Sequence, residues 1–590
     1  MGNFYYNLQG GLNTQLTPVL MGAESKIMYW AEGFNVEPYK NQGITRQKGN
    51  QLLLKLAGKI PPRPNKPESL AAEGSMPENT QEPPESDLSA VMPVGACVYP
   101  KGVKNFILAL SDGRIFYFKD DLSTLNLIYD FERDISDYVF EYFLDGIVIL
   151  PKKYTGSAID GIYYNIYASE KVDRLNFKNS RGEVILASSV CQYAGRLWIS
   201  SESTLYYSAL GTYNDWSSAH DAGYISNFHS STEKIVALKE YGGSLAIYKE
   251  FEVFLLTGND PETFAIVKFA DKGTGGQSSV LTCNNKQYFF NDCGLFSLSL
   301  AGELSQIVMS QNRAKNITEL FKRLDKSRIQ EVVMLALELK NQIWIFPPIA
   351  GEKEQKEVWI YDWALDSWFI RIIPYEIITA TTVLDEIYTI SPDDGGKIFI
   401  EDRGNTFSGK PIKFSISTPF FNFSKPTVKK IIEDFEIVCD GNSDNCFYFS
   451  VSTDYLTENR SIPDYIFTYS PDILVWEGVN GVMSETFWAD ENTGGIWAEN
   501  LQENLKLDIF DSNKSVQLHF YGDEAGQEFT IIGFEFMTNN INALKGKMLD
   551  PALPLGGFTG DEEFYLEYVE SLTEGDIRPI VIKNYVEENE

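Results

Sequence analysis

A recurring block constrains this chain more than any other feature. A turn ending in Gly or Asn leads into a short β-branched and aromatic run, and a second such run follows. The block stands at Ile115–Phe118, Gly146–Leu150, Leu197–Ser200, Leu245–Tyr248, Tyr288–Asn291, Ile343–Phe346 and Ile387–Ile390. Several spacings fall near the roughly 40–50 residues that one four-stranded propeller blade occupies. Two repeats resolve into strands. Lys234–Glu240, Ser244–Tyr248, Glu252–Thr257 and Thr263–Phe269 form one set, separated by Tyr241-Gly242-Gly243, Lys249–Phe251 and Gly258-Asn259-Asp260-Pro261. Glu331–Leu339, Gln342–Phe346, Glu357–Tyr361 and Ser367–Ile373 form the other, with Lys340-Asn341 and Trp363–Asp366 as turns. An all-β β-propeller of about six to eight blades is expected, with a β-sandwich-like module after it.

The chain of 590 residues is long enough for a large core and a further domain. An aromatic content of 14 % suits half-buried strands better than helical bundles. Residues 1–56 are expected to join the propeller. Residues 57–92 carry Pro61, Pro62, Pro64, Pro67, Pro77, Pro83 and Pro84 among Glu68, Glu73, Glu78, Glu82 and Glu85, with no aromatic residue. Such a segment buries too little apolar surface to offset its ordering entropy and reads as a flexible, projecting insertion. The propeller is assigned to 93–410. Within it Ile317, Leu320, Phe321 and Leu324 form the apolar stripe of a connector helix over 317–330, with Arg323, Lys326 and Arg328 on the other face. Longer strands at Phe447–Thr453, Val516–Phe520 and Glu528–Phe536 place the β-rich module at 411–545, and 546–590 is an acidic tail.

Catalytic patterns are missing. There is no Gly-x-Ser-x-Gly and no His-Glu-x-x-His, and His220, His229 and His519 are far apart. Gly273-Thr274-Gly275-Gly276-Gln277-Ser278 lacks the Lys and the following helix of a phosphate-binding loop, and it reads as a loop between blades. Ser391-Pro392-Asp393-Asp394-Gly395 is a partial echo of a sialidase box without its Trp. No catalytic, cofactor-binding or metal-ligating residue is assigned, no cofactor is expected, and the chain is not expected to be an enzyme. Cys97, Cys191, Cys283, Cys293, Cys439 and Cys446 include no Cys-x-x-Cys pair and read as scattered buried thiols of a chain made in a reducing compartment. No run of about 18 apolar residues suggests a membrane span, and the N-terminus lacks the pattern of a signal peptide or a myristoylation site.

The net charge is −32, so non-specific binding to nucleic acid or to an anionic membrane is disfavoured. No helix-turn-helix, zinc finger or basic run is present. If DNA is involved, the chain encloses it without gripping it.

Asn7-Leu8-Gln9-Gly10-Gly11-Leu12-Asn13, then Ala31 to Asn35, then Gly43-Ile44-Thr45-Arg46-Gln47-Lys48-Gly49 resembles the opening of the tail nozzle and packaged-DNA stabilisation proteins of short-tailed bacteriophages, with one inserted residue between Arg46 and Gly49. The likeness continues through Gly195–Ser200, Leu205–Ala209, Asp215-Trp216, the loop at 273–276 with Ser279, Phe289-Phe290, Gly294 and the hairpin from Tyr361-Asp362 to Trp368. A fainter likeness runs through Ser515–Leu518. The resemblance implies a structural virion protein: a homohexameric tube below the portal and adaptor, in the virion tail and made in the host cytoplasm. It would touch tail fibre or other tail proteins, retain packaged double-stranded DNA and conduct it during ejection without sequence-specific binding. Channel-facing acidic residues and loops such as 273–276 would form the conduit or its gate. The rival expectation is a carbohydrate-binding or carbohydrate-active propeller of a viral tail, with Trp476, Trp488 and Trp497 as its stacking platform.

Overall fold

The computed structural model describes residues 2–540 apart from 15–28, 61–92, 470–503 and shorter stretches between elements. Six four-stranded antiparallel meanders cover 93–130, 135–174, 189–225, 235–270, 280–309 and 333–372, and are numbered here as blades 1 to 6. Blade 7 is composite. Thr379–Val383, Glu386–Ser391 and Lys397–Glu401 supply three strands, and Asn50–Lys55 pairs antiparallel with the last of them as the fourth. The first strands of the blades, Pro93–Tyr99, Ile135–Phe143, Ser189–Tyr193, Ile235–Tyr241, Val280–Cys283, Val333–Leu337 and Thr379–Val383, each lie against the next, and the seventh lies against the first. The described residues thus form a closed ring of seven blades around a central axis.

The second strands explain why the repeat is visible in the sequence. Each is sandwiched between neighbouring blades on both faces, so it reads as a continuous apolar run rather than an alternating one. Ser244–Lys249 and Gln342–Phe346 are buried at every position. Tight hairpins connect first to second strands. At Gly242-Gly243 and Asn284-Asn285 both turn residues take positive φ, the backbone that a two-residue hairpin turn requires. The strands expected for blades 4 and 6 match the observed Ile235–Tyr241, Ser244–Lys249, Val253–Thr257, Ala265–Ala270, Val333–Leu337, Gln342–Phe346, Glu357–Asp362 and Ser367–Ile372 to within two residues at each end. In blade 1 the recurring block at Ile115–Phe118 falls in the third strand, Arg114–Phe118, and the second strand is Asn105–Leu110.

A second module is a two-sheet sandwich. One sheet runs Val36–Tyr39, Gly43–Arg46, Thr530–Asn540, Lys430–Cys439, Asn504–Leu507, and Gly2–Tyr6 also pairs with Thr530–Asn540. The other runs Glu32–Phe34, Phe414–Ser417, Val516–Gly522, Asn445–Thr453, Leu456–Tyr469. Ile44, Ile437, Phe534 and Phe536 of the first sheet meet Ile416, Phe447, Phe449 and Leu518 of the second in a core that continues into Trp344, Val358 and Phe369 of blade 6. Residues 1–56 were expected to join the propeller. Asn50–Lys55 joins it as a strand and Leu12 bonds to blade 6, while the four strands before Asn50 complete the sandwich.

The connector at 317–330 is not one helix. A 3-10 turn at Lys315–Ile317 leads into a single α-turn at Thr318–Lys322, and a second 3-10 segment follows at Lys326–Glu331. The break has a local cause: Leu324 bridges to Ile349, and the Asp325 carboxylate caps the backbone N–H of Ser327. Phe321 packs on Phe290 and Trp359 with ring centroids 5.3 Å from each. The Pro/Glu segment from 61 on and the acidic tail 546–590 lie outside the described residues, as do Trp476, Trp488 and Trp497.

Candidate functional site

Residues of the N-terminal segment meet blades 6 and 7 at one seam, where these blades face the second module. Arg371, on the outer strand of blade 6, is its centre. Its side chain and that of Glu401 on blade 7 are 1 % and 0 % exposed, with Nη2 2.7 Å from Oε2. The guanidinium also donates to the carbonyls of Lys48 at 2.6 Å and Gly49 at 2.9 Å. Trp344 and Phe407 cover it, with ring centroids 5.1 and 4.9 Å from Cζ. The other carboxylate oxygen of Glu401 accepts from Thr389 at 2.7 Å, Asn50 at 3.2 Å and the Tyr375 hydroxyl. Burial and the Glu401 charge hold that hydroxyl protonated well above the usual tyrosine range. A buried ion pair is favourable when additional hydrogen bonds satisfy its remaining donors and acceptors. Here the backbone just before the strand that closes blade 7 takes hydrogen bonds from Nη1 and Nη2, while the buried Nε makes none.

Three further contacts fasten the same seam. Asn35 sits at φ 56°, donates to the carbonyls of Lys413 (2.6 Å) and Ile372 (3.2 Å), and accepts from the Ile372 N–H at 2.7 Å. The Leu12 N–H donates to the Trp368 carbonyl at 2.7 Å. The preceding Gly11 stands at φ +71°, where a Cβ would lie 2.7 Å from that same carbonyl oxygen. Lys340 lies between Glu37 (2.9 Å) and Asp402 (2.8 Å), joining the blade 6 turn to the module and to blade 7. Burial pulls the Lys340 pKa down, but the two carboxylates outweigh it and the net shift is upward.

The propeller axis carries a second arrangement. The loop leading from blade 4 into blade 5 buries Thr274, Gln277 and Ser279. Gln277 accepts from the Leu238 N–H at 2.9 Å and donates to the carbonyls of Leu238 (2.8 Å) and Val190 (3.1 Å), so it ties the first strands of blades 4 and 3. The 3-10 turn Gln277–Ser279 also touches the first strand of blade 6. Close packing accounts for the glycines. A Cβ at Gly273 would overlap the Lys249 carbonyl, and one at Gly275 would lie 2.6 Å from the Ile329 carbonyl. Along the same channel, Lys239 of blade 4 pairs with Glu141 of blade 2 at 3.0 Å. Burial opposes the charge on Lys239, and Glu141 more than restores it. The expectation that loop 273–276 gates a DNA conduit is therefore corrected. It is an internal plug that bridges four blades, and a buried loop lines no conduit.

The remaining candidates are dispersed. His220 meets Asp215 at 2.7 Å on the exposed long connection of blade 3. His519 lies in the sandwich, with Ser417 and Ser452 each 2.9 Å from a ring nitrogen. His229 falls outside the described residues. Ser391 to Gly395 form the turn between the second and third strands of blade 7. Cys191 and Cys283 are buried free thiols and Cys293 is exposed. A cleft of about 610 Å³ is lined by Arg323, Glu352, Glu354, Lys356, Glu357 and Ile372, and Arg323 and Glu357 pair across it at 2.6 Å. Among the described residues no group of three or more His, Cys, Asp or Glu is placed to hold a metal ion, and no helix is long and apolar enough to cross a membrane.

Sequence reading marked the Gly10–Asn13, Ala31–Asn35 and Gly43–Gly49 runs but assigned no role to Arg371 or Glu401. The signal that points to them is a charged residue beside a short apolar run, Arg371 after Trp368–Ile370 and Glu401 after Ile398–Ile400.

No family model and no curated protein matches the chain. Solved structures are similar over about half of it. A chain in the crystal structure of the mitotic checkpoint complex shares 12 % identity over 57 % of this chain and 99 % of its own, at a TM-score of 0.34. The β-propeller domain of Cps50 (Swd1) from Myceliophteria thermophila shares 8 % over 52 % and 96 %, at 0.37. BamB from Moraxella catarrhalis shares 7 % over 52 % and 85 %, at 0.32. The strand order and the ring of first strands define this chain as a seven-bladed β-propeller with an appended sandwich.

Proposed function

We propose that this chain is a structural tail subunit of the nozzle type, which assembles into a closed ring that retains packaged duplex DNA and conducts it. One observation carries the reading. The separate sequence runs that resemble the nozzle family touch one another across more than 300 residues of chain: Leu12 bonds to Trp368 of the Tyr361–Trp368 hairpin, and Gln47 to Gly49 receive the Arg371 side chain three residues beyond it. The same holds locally. Arg196 donates to the Ser208 carbonyl, the Ala209 N–H donates to Asp215, and Thr274 donates to the Phe290 carbonyl. Residues that fasten a scaffold are the ones a structural protein needs in fixed order.

Charge supports the conduit role. At −32 the chain repels a duplex from its surface, so DNA would be confined by geometry rather than held by contacts. The plugged propeller axis sets the path: the duplex would run through a hole formed between subunits. Negative-stain electron microscopy of the purified chain tests this. Rings with a central hole wide enough for a duplex, about 20 Å or more, are expected because head-to-tail interfaces close into rings. Isolated particles at every concentration, with and without portal or adaptor protein, would overturn it.

A further inference from the structure

We propose that one side of the propeller, the side formed by its first–second turns, docks a cationic amphipathic helix of a partner protein. The inference goes beyond the ring reading and holds for the isolated chain as well as for a ring. A four-stranded meander puts its first–second turn and its third–fourth connection at the same end. Bonds between blades gather these ends on one side of the ring. The Tyr193 hydroxyl donates to the carbonyls of Gly243 (3.2 Å) and Gly258 (2.8 Å), and the Tyr241 hydroxyl to that of Asn285 (2.7 Å). The Leu339 N–H donates to the Asp385 carboxylate at 2.9 Å. Turn is thus tied to turn from blade 3 through blade 5, and again from blade 6 to blade 7.

Leucines stand out of this side. Leu144 in the first–second turn of blade 2, Leu210 in the third–fourth connection of blade 3, Leu300 near the end of the third strand of blade 5 and Leu339 in the first–second turn of blade 6 are 45–88 % exposed. Two of them lie over glycine. A Cβ on Gly195 would be 3.0 Å from Leu210, and one on Gly242 of the blade 4 turn would be 2.9 Å from Leu300. Leu144, Leu210 and Leu300 therefore mark successive blades along an arc. Packed sheets lie about 10 Å apart, close to the rise of about seven helical residues at about 1.5 Å each. The apolar stripe of an amphipathic helix repeats with that period. A helix of about 20 residues covers the arc.

Charge sets the sign of the partner. In the same connections of blades 2 to 6, the exposed carboxylates of Asp145, Asp221, Asp260, Glu262, Glu338 and Asp366 stand against one lysine and no arginine among the described residues. That lysine, Lys340, is held between Glu37 and Asp402, and His220 faces Asp215. From outside these connections Arg313 comes within 3.8 Å of Asp366. The opposite side is mixed, with Lys234, Lys272, Lys315, Lys322 and Lys326 exposed in its connections. Net charge alone would spread over both sides, so the acidic side is a sorted feature. Exposed apolar residues among charges of one sign mark a docking surface, and complementary charge selects what docks there. Laying an amphipathic helix on such a surface is a recurrent mode of recognition. A second copy is a poor source of it, because the α-helix among the described residues, Thr318–Lys322, has only five residues.

A synthetic helix of about 20 residues, built of lysine with leucine at every third or fourth position, is the probe. It carries a dye and is titrated with the full chain at about 0.15 M salt, where charges more than about 8 Å apart are screened. Fluorescence anisotropy should report binding in the micromolar range. Leu210→Ser leaves every charge in place and should weaken binding by about 5- to 25-fold, the effect of covering the exposed 63 % of that leucine. Phe251→Ser changes an exposed residue on the opposite side and should leave the affinity as it is. Equal affinity for wild type and Leu210→Ser, or an equal loss in Phe251→Ser, would overturn the proposal. So would equal binding of the same peptide with serine in place of leucine, or no binding of the leucine peptide. Ring formation has no part in the readout, so none of these results bears on the ring reading.

Discussion

Replacing Arg371 with Met should release the strand that closes the propeller. The substitution keeps the aliphatic body between Trp344 and Phe407 and removes the charge facing Glu401, whose side chain is fully buried. Removing one partner of a buried pair costs about 3–5 kcal/mol. Glu401 keeps Thr389, Asn50 and Tyr375 as neutral donors, which favours the lower part of that range. The Lys48 and Gly49 carbonyls also lose their donor, at about 1 kcal/mol each if they stay buried. Because about 1.4 kcal/mol is a factor of ten, a loss near 3 kcal/mol increases opening by about 10²-fold or more. Native-state hydrogen exchange reads this directly at the amides of Asn50–Lys55, which should exchange faster by that factor while the second strands of blades 3 to 5 change little. Arg371→Lys keeps the charge without the fork and should fall between. Acceleration below about tenfold at Asn50–Lys55, or equal acceleration throughout the ring, would refute the reasoning.

Three further outcomes are expected. Gln277→Ala leaves the Leu238 N–H without its partner and should lower stability by about 1–3 kcal/mol, seen as a lower urea midpoint with an unchanged slope. The Lys340 pKa is raised in the folded state, so its clamp contributes fully below the ordinary lysine range and is lost as pH rises through the raised value; the urea midpoint of wild type should therefore fall more between pH 8 and pH 11 than that of Lys340→Met. In a duplex titration at about 50 mM salt, where phosphate contacts are strongest, the isolated subunit should bind more weakly than micromolar.

The parts of the fold legible in the sequence were those that packing imposes locally. A strand buried on both faces must be apolar throughout, so Ser244–Lys249 and Gln342–Phe346 announce themselves. In blade 1 the block falls in the third strand, because Arg114–Phe118 is as thoroughly buried and aromatic as the second strands of the other blades. The composite blade was hidden for a different reason. Asn50–Lys55 pairs with Lys397–Glu401 across nearly the whole propeller, and Glu32–Phe34 has only three residues in which to show a period. The stripe of Ile317, Leu320, Phe321 and Leu324 was read from its spacing, but the bridge from Leu324 to Ile349 that ends the α-turn is a tertiary contact. The seam followed the same rule: its glycines and asparagines stood out as local signals, whereas Arg371 and Glu401 acquire meaning only from each other.

Assembly into a ring is the central claim, and the mass of the 590-residue chain in solution with an adaptor or portal protein tests it most directly. Mass photometry should show one dominant closed species at six copies of the chain, with free monomer declining as the partner is added. A solution that remains monomeric across the same titration would contradict the central claim.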